Sequence, residues 1–395
     1  MDNKFSYVMK ALLASVGRKR NPDPHVWIFS SKDNEQFNYN SKYLFEYVKE
    51  HVEGVIPRYV INDTEKRKQY QREYGVEYFV ETKTIHGIRQ VLDSGVWFTS
   101  AGLPVYRLGL RRKNYIVNLW HGVPLKKIAL LDCNLRGIAR AYFRAVFSHN
   151  YRYVVTTSSS LVPVMQESFD VKTEQVKVWG QPRNDKIFQK KSREAILQNL
   201  YGELPEYEKV ILYAPTFRDV GETKLFPFAD MDWEVLTDFL QEHKILIFIR
   251  SHLEDEAAMK QNRQSRIFFM NSDVVDDVTG ILDIFDMLIT DYSSIYIDYL
   301  LTEKPMVFLP YDKEAYLAGR GMNFSYDDVT PGPKPVTMQK FLNEMEHMLS
   351  GIDEYQERRK ECNTFFNEIK EPCSRKICEA IIREVGIDAR IKAER

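Results

Sequence analysis

The stretch DMLITDYSSIYIDYL, residues 286 to 300, places a polar cluster between two apolar segments. The first segment is near-continuously apolar, as a strand covered on both faces of a sheet should be. The segment that follows the polar cluster is typical of an apolar helix. This order predicts a strand that passes directly into a helix, the repeating unit of a doubly wound parallel sheet.

The same alternation recurs on both sides of this stretch. Helix-like segments such as SKYLFEYVKE (41–50) lie between most of the β-rich runs, and 395 residues suffice for two cores. We therefore predict an α/β protein of two Rossmann-like, doubly wound lobes with an interlobe cleft. The predicted strands lie within residues 25–31, 56–63, 96–102, 115–122, 151–159, 176–180, 210–219, 245–252, 266–272, 286–294 and 305–312.

The polar stretch GQPRNDKIFQKKSRE, residues 180 to 194, is the predicted linker because its Gly, Pro and Asn-Asp favour turns. It separates an N-terminal lobe, residues 1–187, from a C-terminal lobe, residues 188–372. A last helix in residues 373–395 is a candidate to cross back to the first lobe.

Charge is distributed unevenly along the chain. Residues 103–153 hold ten Lys or Arg against one acid, so this segment carries +9 in a chain whose net charge is −1. Such a local field favours an anionic partner: nucleic acid, a polyphosphate or an acidic membrane leaflet.

One predicted helix in this basic segment, CNLRGIARAYFRAVF (133–147), has arginines on one face and apolar residues on the other. It either packs on a core with its charged face in solvent or lies in an anionic membrane interface. VYRLGLRRKNY (105–115) and FSYVMKALLASVGRKR (5–20) have similar character and strengthen the membrane hypothesis. Nucleic acid is disfavoured because aromatic residues are not interleaved with the basic ones. The predicted membrane-facing residues are Arg111, Arg112, Lys113, Lys126, Lys127, Arg136, Arg140 and Arg144.

The cysteines follow no metal-ligand spacing, so we expect free thiols in a reducing cytosol and no metal site. Asp230-Met231-Asp232 has the form of a DxD metal motif, but we expect it to begin a helix before Trp233. No apolar run reaches the roughly 18–20 residues that a membrane helix needs. The expected location is cytoplasmic and peripheral on the inner face of the cell membrane.

Polar residues follow five of the predicted strands directly. Because ligands of open parallel sheets bind beyond the carboxyl ends of the strands, these residues are the candidate site. They are His121, Arg183, Asp185, Thr216, Arg218, Arg250, His252, Asp291, Ser293 and Ser294.

Two of these positions suggest specific chemistry. An imidazole with a pKa near 6.5 is mostly neutral at cytosolic pH, so His121 can accept a proton from a hydroxyl that attacks phosphorus. The helix start at Ser293 and Ser294 suits a phosphate if Arg218 or Arg250 lies nearby, although a plain capping turn is the alternative. Asp298, further along the helix, is a candidate acceptor for ribose hydroxyls.

Five ordered motifs resemble those of the CDP-glycerol glycerophosphotransferase family, which builds wall teichoic acids and related capsules in bacteria. The resemblance spans residues 95 to 330 and implies a GT-B fold, with the nucleotide held by the second lobe and the acceptor by the first. The motifs are WHG (120–122), GQPRND (180–185), APTFRD (214–219), RSH (250–252) and TDYSSIYIDYL (290–300).

The resemblance implies transfer of glycerol phosphate or ribitol phosphate from a CDP-polyol donor to a hydroxyl of a polyprenyl-diphosphate-linked acceptor. CMP leaves, and no metal or other cofactor is implied. His121 matches the general base, and His252, with Arg218 and Arg250, matches groups that stabilise the diphosphate. The other implied or candidate donor-site residues are Gly180, Pro182, Arg183, Asn184, Asp185, Thr216, Thr290, Asp291, Ser293, Ser294 and Asp298.

Two alternatives remain at the level of sequence. A GT-B glycosyltransferase that uses a nucleotide sugar would share the fold and the phosphate-binding helix. A non-catalytic membrane-bound scaffold with a degenerate nucleotide pocket is the second, but the intact His121 and His252 argue against it. Within the family, we expect an enzyme that adds a single unit rather than a polymerase, because no large extra N-terminal domain is evident in the sequence.

Overall fold

The computed structural model describes residues 2–16, 21–216, 218, 223–250 and 266–393, without the side chains of residues 2–8 and 320. The chain forms two compact units. The first contains Met1–Val123, Lys127–Asp185 and Glu371–Arg395, and the second contains Pro124–Lys126 and Lys186–Lys370.

Unit 1 is built on a seven-stranded, wholly parallel sheet in the order β4-β3-β1-β5-β6-β7-β8. Its strands, with the short β2, are β1 Asp23–Ser30, β2 Val52–Glu53, β3 Ile56–Val60, β4 Phe79–Val80, β5 Ser94–Thr99, β6 Tyr115–Asn118, β7 Tyr153–Thr156 and β8 Val176–Val178. The helices that accompany them are α1 Asp2–Val16, α2 Tyr39–His51, α3 Thr64–Tyr74, α4 Ile85–Leu92, α5 Gly137–Val146 and α6 Val162–Phe169.

The topology of this sheet marks where a ligand would bind. From β1 the chain winds outward through β3 to β4, and from β5 it winds the other way to β8. The order therefore reverses between β1 and β5, and ligands of open sheets bind at the carboxyl ends of strands at such a reversal. All six residues of β5 are buried, as expected for a central strand with helices on both faces.

Unit 2 has a five-stranded parallel sheet in the order β11-β10-β9-β12-β13, which reverses between β9 and β12. The strands are β9 Lys209–Ala214, β10 Ile245–Ile249, β11 Ile267–Phe269, β12 Met287–Thr290 and β13 Met306–Phe308. The described helices of this unit are α7 Arg193–Tyr201, α8 Trp233–Glu242, α9 Ile295–Tyr299, α10 Lys313–Arg320, α11 Tyr326–Val329, α12 Met338–Leu349 and α13 Gln356–Phe366.

The register aligns the strand ends of unit 2. Thr290 pairs with Ala214 on one side and with Phe308 on the other, so β9, β12 and β13 end side by side. The residues that follow these strands therefore lie at one edge of the sheet. The strand β10 is fully buried, and its five residues Ile245–Ile249 are all apolar.

The end of the chain belongs to unit 1. Helix α14 Ser374–Val385 packs against α2, and β14 Arg390–Ile391 pairs antiparallel with β2. The Asp185 carboxylate accepts hydrogen bonds from the backbone N–H groups of Cys373 (2.7 Å) and Ser374 (3.0 Å) at the start of α14.

The two doubly wound parallel sheets confirm the fold class predicted from the sequence. The chain passes from unit 1 to unit 2 after Asp185, inside the predicted linker, where Pro182–Phe188 forms a 3₁₀ segment. The charged segment near 338–370 forms two helices, α12 and α13. No helix in the described part of the chain is long and apolar enough to cross a membrane.

A short excursion of the chain was not predicted. Residues Pro124–Lys126 leave unit 1 and belong to unit 2. There the Asn323 side chain donates to the carbonyl oxygens of Pro124 (2.8 Å) and Lys126 (2.9 Å), and its backbone N–H donates to that of Leu125 (2.8 Å).

Candidate functional site

His121 lies just beyond the carboxyl end of β6. The Asn118 side-chain oxygen accepts the backbone N–H of Trp120 (2.9 Å), and Trp120 has a left-handed backbone with φ 54°. The chain thereby turns sharply, and the His121 Nδ1 comes to lie 2.7 Å from the carbonyl oxygen of Ser100, which follows β5. Because a carbonyl oxygen only accepts, Nδ1 carries the proton and Nε2 of the neutral ring is an acceptor.

The surroundings of His121 keep its ring neutral. The rings of Trp120 and Tyr39 lie with centroids 4.0 Å and 5.0 Å from the imidazole. Burial lowers the pKa of His121 to about 4; the hydrogen bond to Ser100 opposes this shift, and the charges of Arg183 and Lys32 add to it. The imidazole is therefore unprotonated across the neutral pH range, as a general base must be.

The predicted GQPRND turn adjoins His121 in the same unit. Gly180 has φ 84°, a left-handed conformation that glycine adopts without a Cβ clash. The buried Arg183 guanidinium donates to the backbone oxygen of His121 (2.7 Å), and the Asn184 backbone N–H donates to the carbonyl of Gln181 (2.9 Å). Asp185 caps the start of α14, and burial raises the pKa of its carboxyl group.

Hydrogen bonds from α2 join these two motifs. The fully buried Asn40 amide donates to the carbonyl oxygens of Leu119 and Trp120 and to the Gln181 side chain. Its oxygen accepts the backbone N–H of Arg183 (3.2 Å). The site of unit 1 thus lies at the β1/β5 reversal of the sheet, where a ligand is expected.

In unit 2, Arg218 lies at the corresponding reversal of the sheet but is already neutralised. Its side chain is 5% exposed and forms ion pairs with Asp291 (2.9 Å) and Asp312 (2.7 Å). Burial lowers the pKa of Arg218, but hydrogen bonds to Asp312 and the charge of Asp291 outweigh it, and the net pKa is raised. Two carboxylates thus already balance the guanidinium, and the expected contact of Arg218 with the donor diphosphate stays a prediction.

Aromatic rings complete the surroundings of Arg218. The guanidinium carbon lies 5.0–5.2 Å from the ring centroids of Tyr292, Tyr311 and Tyr316. Tyr292 and Tyr316 stack with centroids 3.9 Å apart, and the Tyr292 hydroxyl donates to Asp312 (3.0 Å). Asp312 and these tyrosines are part of the cluster, but sequence reasoning did not select them.

The other candidates around β12 divide into buried and accessible residues. The Thr290 hydroxyl is buried and donates to the Ala214 carbonyl (2.7 Å), and Asp291 accepts the backbone N–H of Thr216 (2.8 Å). Asp298 is only 1% exposed, and its expected contact with a ribose stays a prediction.

The serines of the predicted phosphate cap are more accessible. Ser293 and Ser294 are both partly exposed, and the Ser293 hydroxyl accepts the backbone N–H of Ile295 at 3.4 Å. Ser294 is the N-cap of α9 but makes no side-chain cap hydrogen bond. Because α9 has only five residues, its dipole is weaker than that of a helix of several turns.

The Arg250 guanidinium donates hydrogen bonds to backbone carbonyl oxygens. It donates to the carbonyl oxygens of Met270 (3.0 Å), Val275 and Asp276 (2.8 Å), and burial lowers its pKa. It therefore fixes the segment after β11, and its expected contact with the donor diphosphate stays a prediction. His252, the second predicted histidine, lies outside the described residues.

The predicted membrane-facing cations differ in their solvent exposure and in their partners. Arg112, Lys113, Lys127 and Arg136 are exposed, and Arg111 is partly buried. Arg140 donates to the Leu130 carbonyl (2.5 Å) and Arg144 pairs with Asp170 (2.8 Å). Lys126 belongs to unit 2, where its ammonium lies 5.0 Å from the Tyr316 ring centroid.

The expectation for the DxD sequence is confirmed. Asp232 caps α8 by accepting the backbone N–H groups of Glu234 (2.9 Å) and Val235 (3.2 Å). Within the described ranges, no group of His, Cys, Asp or Glu side chains is arranged to hold a metal ion. The four cysteines are free thiols; Cys133 is exposed and the other three are buried.

Comparison with known families bears on the alternatives that the sequence left open. The model of the CDP-glycerol:poly(glycerophosphate) glycerophosphotransferase family matches residues 12–383, nearly the whole chain. The protein belongs to this family. The resemblance inferred from the five motifs is thus confirmed, and the nucleotide-sugar glycosyltransferase is not favoured.

Relatives of this glycerophosphotransferase family member act on both glycerol phosphate and ribitol phosphate, as their names state. A teichoic acid glycerol-phosphate transferase of Staphylococcus aureus is 25% identical over 92% of this chain and 94% of its own length. A teichoic acid poly(ribitol-phosphate) polymerase of Bacillus spizizenii is 29% identical over 70% of this chain. The chain spans less than half the length of that polymerase, 45%.

Solved structures show the same fold. The wall teichoic acid polymerase TagF aligns with a TM-score of 0.77 and 24% identity, covering 96% of this chain and 94% of that one. The two Rossmann-like units therefore form a GT-B-like fold of the TagF type.

Proposed function

We propose that the protein transfers a polyol phosphate, glycerol phosphate or ribitol phosphate, from a CDP-activated donor to a hydroxyl of a lipid-linked acceptor in teichoic acid or capsule synthesis. The chain belongs to the glycerophosphotransferase family. The observation that carries the proposal is His121 of its WHG motif, whose Nδ1 is hydrogen-bonded to the carbonyl oxygen of Ser100, so that Nε2 is left as an acceptor. The names of the glycerol- and ribitol-phosphate relatives support this substrate class, as does a TagF structure obtained after a soak with CDPG.

In the proposed step, His121 Nε2 removes the proton from the acceptor hydroxyl. The resulting oxygen forms a bond to the phosphorus that bears the polyol, and the bond from this phosphorus to the CMP oxygen breaks. CMP leaves with the electron pair. Such a transfer depends on positioning and on compensation of charge more than on covalent participation of the protein.

On the donor side, the geometry favours a modified set of roles. Arg218 is proposed to order Asp291 and Asp312, since it already pairs with both. Ser293 and Ser294, which are partly exposed at the end of β12, are the proposed phosphate contacts. His252 keeps the role that the family resemblance implies, stabilisation of charge on the donor diphosphate as CMP leaves.

The first prediction tests the base and the reaction together. With a lipid-linked acceptor present, purified wild-type protein should release CMP from CDP-glycerol or CDP-ribitol as the polyol phosphate passes to the acceptor, whereas sugar transfer from a nucleotide sugar would release a nucleoside diphosphate. His121→Ala should lower kcat about 10²- to 10⁴-fold, the usual contribution of a general base. The exposed His149 of the same unit provides the matched control, and His149→Ala should leave the rate unchanged.

The pH dependence follows from the same histidine. Because the neutral ring is the active form and its pKa is about 4, kcat/KM should be level through the neutral range and fall only as the pH falls towards 4. Full activity of His121→Ala, or nucleoside diphosphate as the only product, would overturn the proposal.

We also propose that the protein attaches to an anionic membrane surface on the cytoplasmic side, where the lipid-linked acceptor would lie. On α1, Ala11 and Ala14 face the core, while Met9, Leu12, Leu13 and Val16 are exposed. On α5, Ile138 is 89% exposed and Tyr142 is half exposed. Ile138 and Tyr142 lie near the exposed Arg136 in the sequence, and exposed apolar side chains beside basic ones are the combination that membrane interfaces favour.

A further inference from the structure

Asn40 is a fully buried side chain whose hydrogen-bonding groups are all occupied. Its Nδ2 donates to the carbonyl oxygens of Leu119 (3.2 Å) and Trp120 (2.9 Å) and to the Gln181 side-chain oxygen (3.3 Å). Its Oδ1 accepts the backbone N–H of Arg183 (3.2 Å). One amide therefore contacts two segments that are far apart in the sequence, and both carry candidate site residues.

Asn40, the segment 119–121 and Arg183 form a closed ring of hydrogen bonds, here called the Asn40 circuit. Leu119 and Trp120 directly precede the histidine, and the Arg183 guanidinium returns to the histidine's own backbone oxygen (2.7 Å). A shift of either segment would break hydrogen bonds of the Asn40 amide, which is fully buried. Because unpaired buried polar groups are costly, this circuit restricts the backbone that carries the imidazole.

The residue before Asn40 contacts the imidazole itself. Tyr39 has a left-handed backbone, φ 58°, an unfavourable conformation for an aromatic residue. In this conformation its ring stacks on that of His121, with centroids 5.0 Å apart and an interplanar angle of 29°. Strained residues of this kind persist where surrounding contacts hold them, and they often mark functional sites.

We propose that Asn40 is a positioning residue for the transfer reaction, one that holds His121 and Arg183 in a fixed mutual geometry, while Tyr39 covers a face of the imidazole. The inference rests on the proposed function, since it assigns to His121 the role of the base. Asn40 acts through the WHG and GQPRND segments and does not touch the reacting atoms.

Asn114 supplies a matched control because it has the same chemistry away from the site. It is a buried asparagine of unit 1 whose Nδ2 donates to the carbonyl oxygens of Leu92 (3.3 Å) and Ser94 (2.7 Å). Asn40→Asp and Asn114→Asp each replace an amide donor with a carboxylate that faces carbonyl oxygens. Both should lower the unfolding temperature, so stability alone does not separate them.

Kinetics should separate the two variants. Displacement of a base by a fraction of an ångström to one ångström lowers rates by about 10- to 100-fold, and we expect that loss of kcat in Asn40→Asp. The KM for CDP-glycerol should change less than about twofold in Asn40→Asp, and Asn114→Asp should keep the wild-type kcat. A wild-type kcat in a folded Asn40→Asp, or an equal loss of kcat in Asn114→Asp, would overturn the inference.

The titration of His121 gives a second readout that does not depend on turnover. In Tyr39→Leu and Asn40→Ala, hydration of the loosened ring should raise its pKa from about 4 towards 6.5, as followed by NMR of labelled histidine. Tyr39→Leu keeps the Asn40 circuit and therefore tests the site even if the Asn40 variants fail to fold. An unchanged titration in Tyr39→Leu would remove the proposed role of Tyr39.

Failure of this inference is distinguishable from failure of the proposed function. If His121→Ala retains activity, the general base is misassigned, whatever the Asn40 variants do. If His121→Ala is inactive while Asn40→Asp and Asn40→Ala keep the wild-type kcat and titration, only the positioning role is lost.

Discussion

At the scale of single residues, Arg218 shows that the role of a charged side chain depends on which groups pair with it in the folded chain. Its position after a predicted strand indicated a cation for a phosphate. The folded chain places it between Asp291 and Asp312, with tyrosine rings around it. The sequence around Arg218 does not indicate that Asp312, which lies 94 residues away, is its partner.

Removal of Arg218 should therefore act on stability. Arg218→Met leaves Asp291 buried without its cation, and loss of one partner of a buried pair costs about 3–5 kcal/mol in the free energy of unfolding. Urea denaturation measures this loss. Adding Asp291→Asn should restore part of it because no unpaired charge then remains at that position.

The comparison is an exposed pair, Lys68 and Glu65, whose side chains are largely in solvent. Lys68→Met should change stability by less than about 1 kcal/mol. An Arg218→Met variant as mildly affected as Lys68→Met would show that the buried ion pair does not stabilise unit 2.

His121 and Asn40 show the two limits of prediction from the sequence. His121 is recognisable because it follows a strand within a short motif, and the structure adds the tautomer and the pKa of about 4. Asn40 lies in the first turn of an ordinary amphipathic helix, where asparagine is common and carries no signal. Only the long-range contact with Gln181 and Arg183 distinguishes it.

At the scale of elements, strand positions were predictable because fully buried parallel strands are continuous apolar runs. Helix lengths were less so. The sequence after Ser294 predicts an apolar helix with a phosphate-binding dipole, but α9 ends at Tyr299 and a 3₁₀ turn follows. Burial of Tyr296, Ile297 and Tyr299 is decided by packing within unit 2, which local periodicity does not encode.

Helix α1 bears on the membrane proposal because its outer face is apolar and exposed. Leu12→Glu combined with Leu13→Glu should weaken sedimentation with anionic liposomes, since each change replaces an apolar contact with a charge repelled by the lipid. Binding of the wild-type protein should decrease as the salt concentration rises.

A control for this experiment is Val76, an exposed apolar residue of the same unit outside α1 and α5. Val76→Glu should leave liposome binding unchanged. Wild-type protein that does not sediment with anionic liposomes at low salt, or that sediments equally well at all salt concentrations, contradicts the proposed surface.

At the scale of the whole molecule, residues 371–395 complete unit 1 although the rest of that unit lies before Asp185. Ile377, Cys378 and Ile381 of α14 are fully buried, and Asp185 accepts two backbone N–H groups at the start of this helix. The end of the chain is thus part of the core of the unit that carries His121.

A variant that ends at Lys370 should therefore destabilise unit 1. Full burial of each isoleucine contributes about 1.5–3 kcal/mol, so the loss is comparable with the stability of a domain. Limited proteolysis should degrade residues 21–185 faster than in the full chain. A variant that ends at Gly386, which keeps α14 and loses β14 with its flanking residues, should be affected much less, and equal resistance of both variants would contradict this packing.

The sequence by itself did not predict the two-residue strands β2, β4 and β14, but it determined the fold class, the family, the position of the WHG histidine and the strands of three or more residues. These follow from local patterns, because apolar periodicity and short motifs are properties of neighbouring residues. Only the tertiary structure decided which partners the buried polar and charged side chains have. Arg218 and Arg250 are satisfied by carboxylates and carbonyls, and Asn40 joins two distant segments. The partners of a buried polar group come from whichever strands and loops lie beside it, and their identity is fixed only when the chain folds.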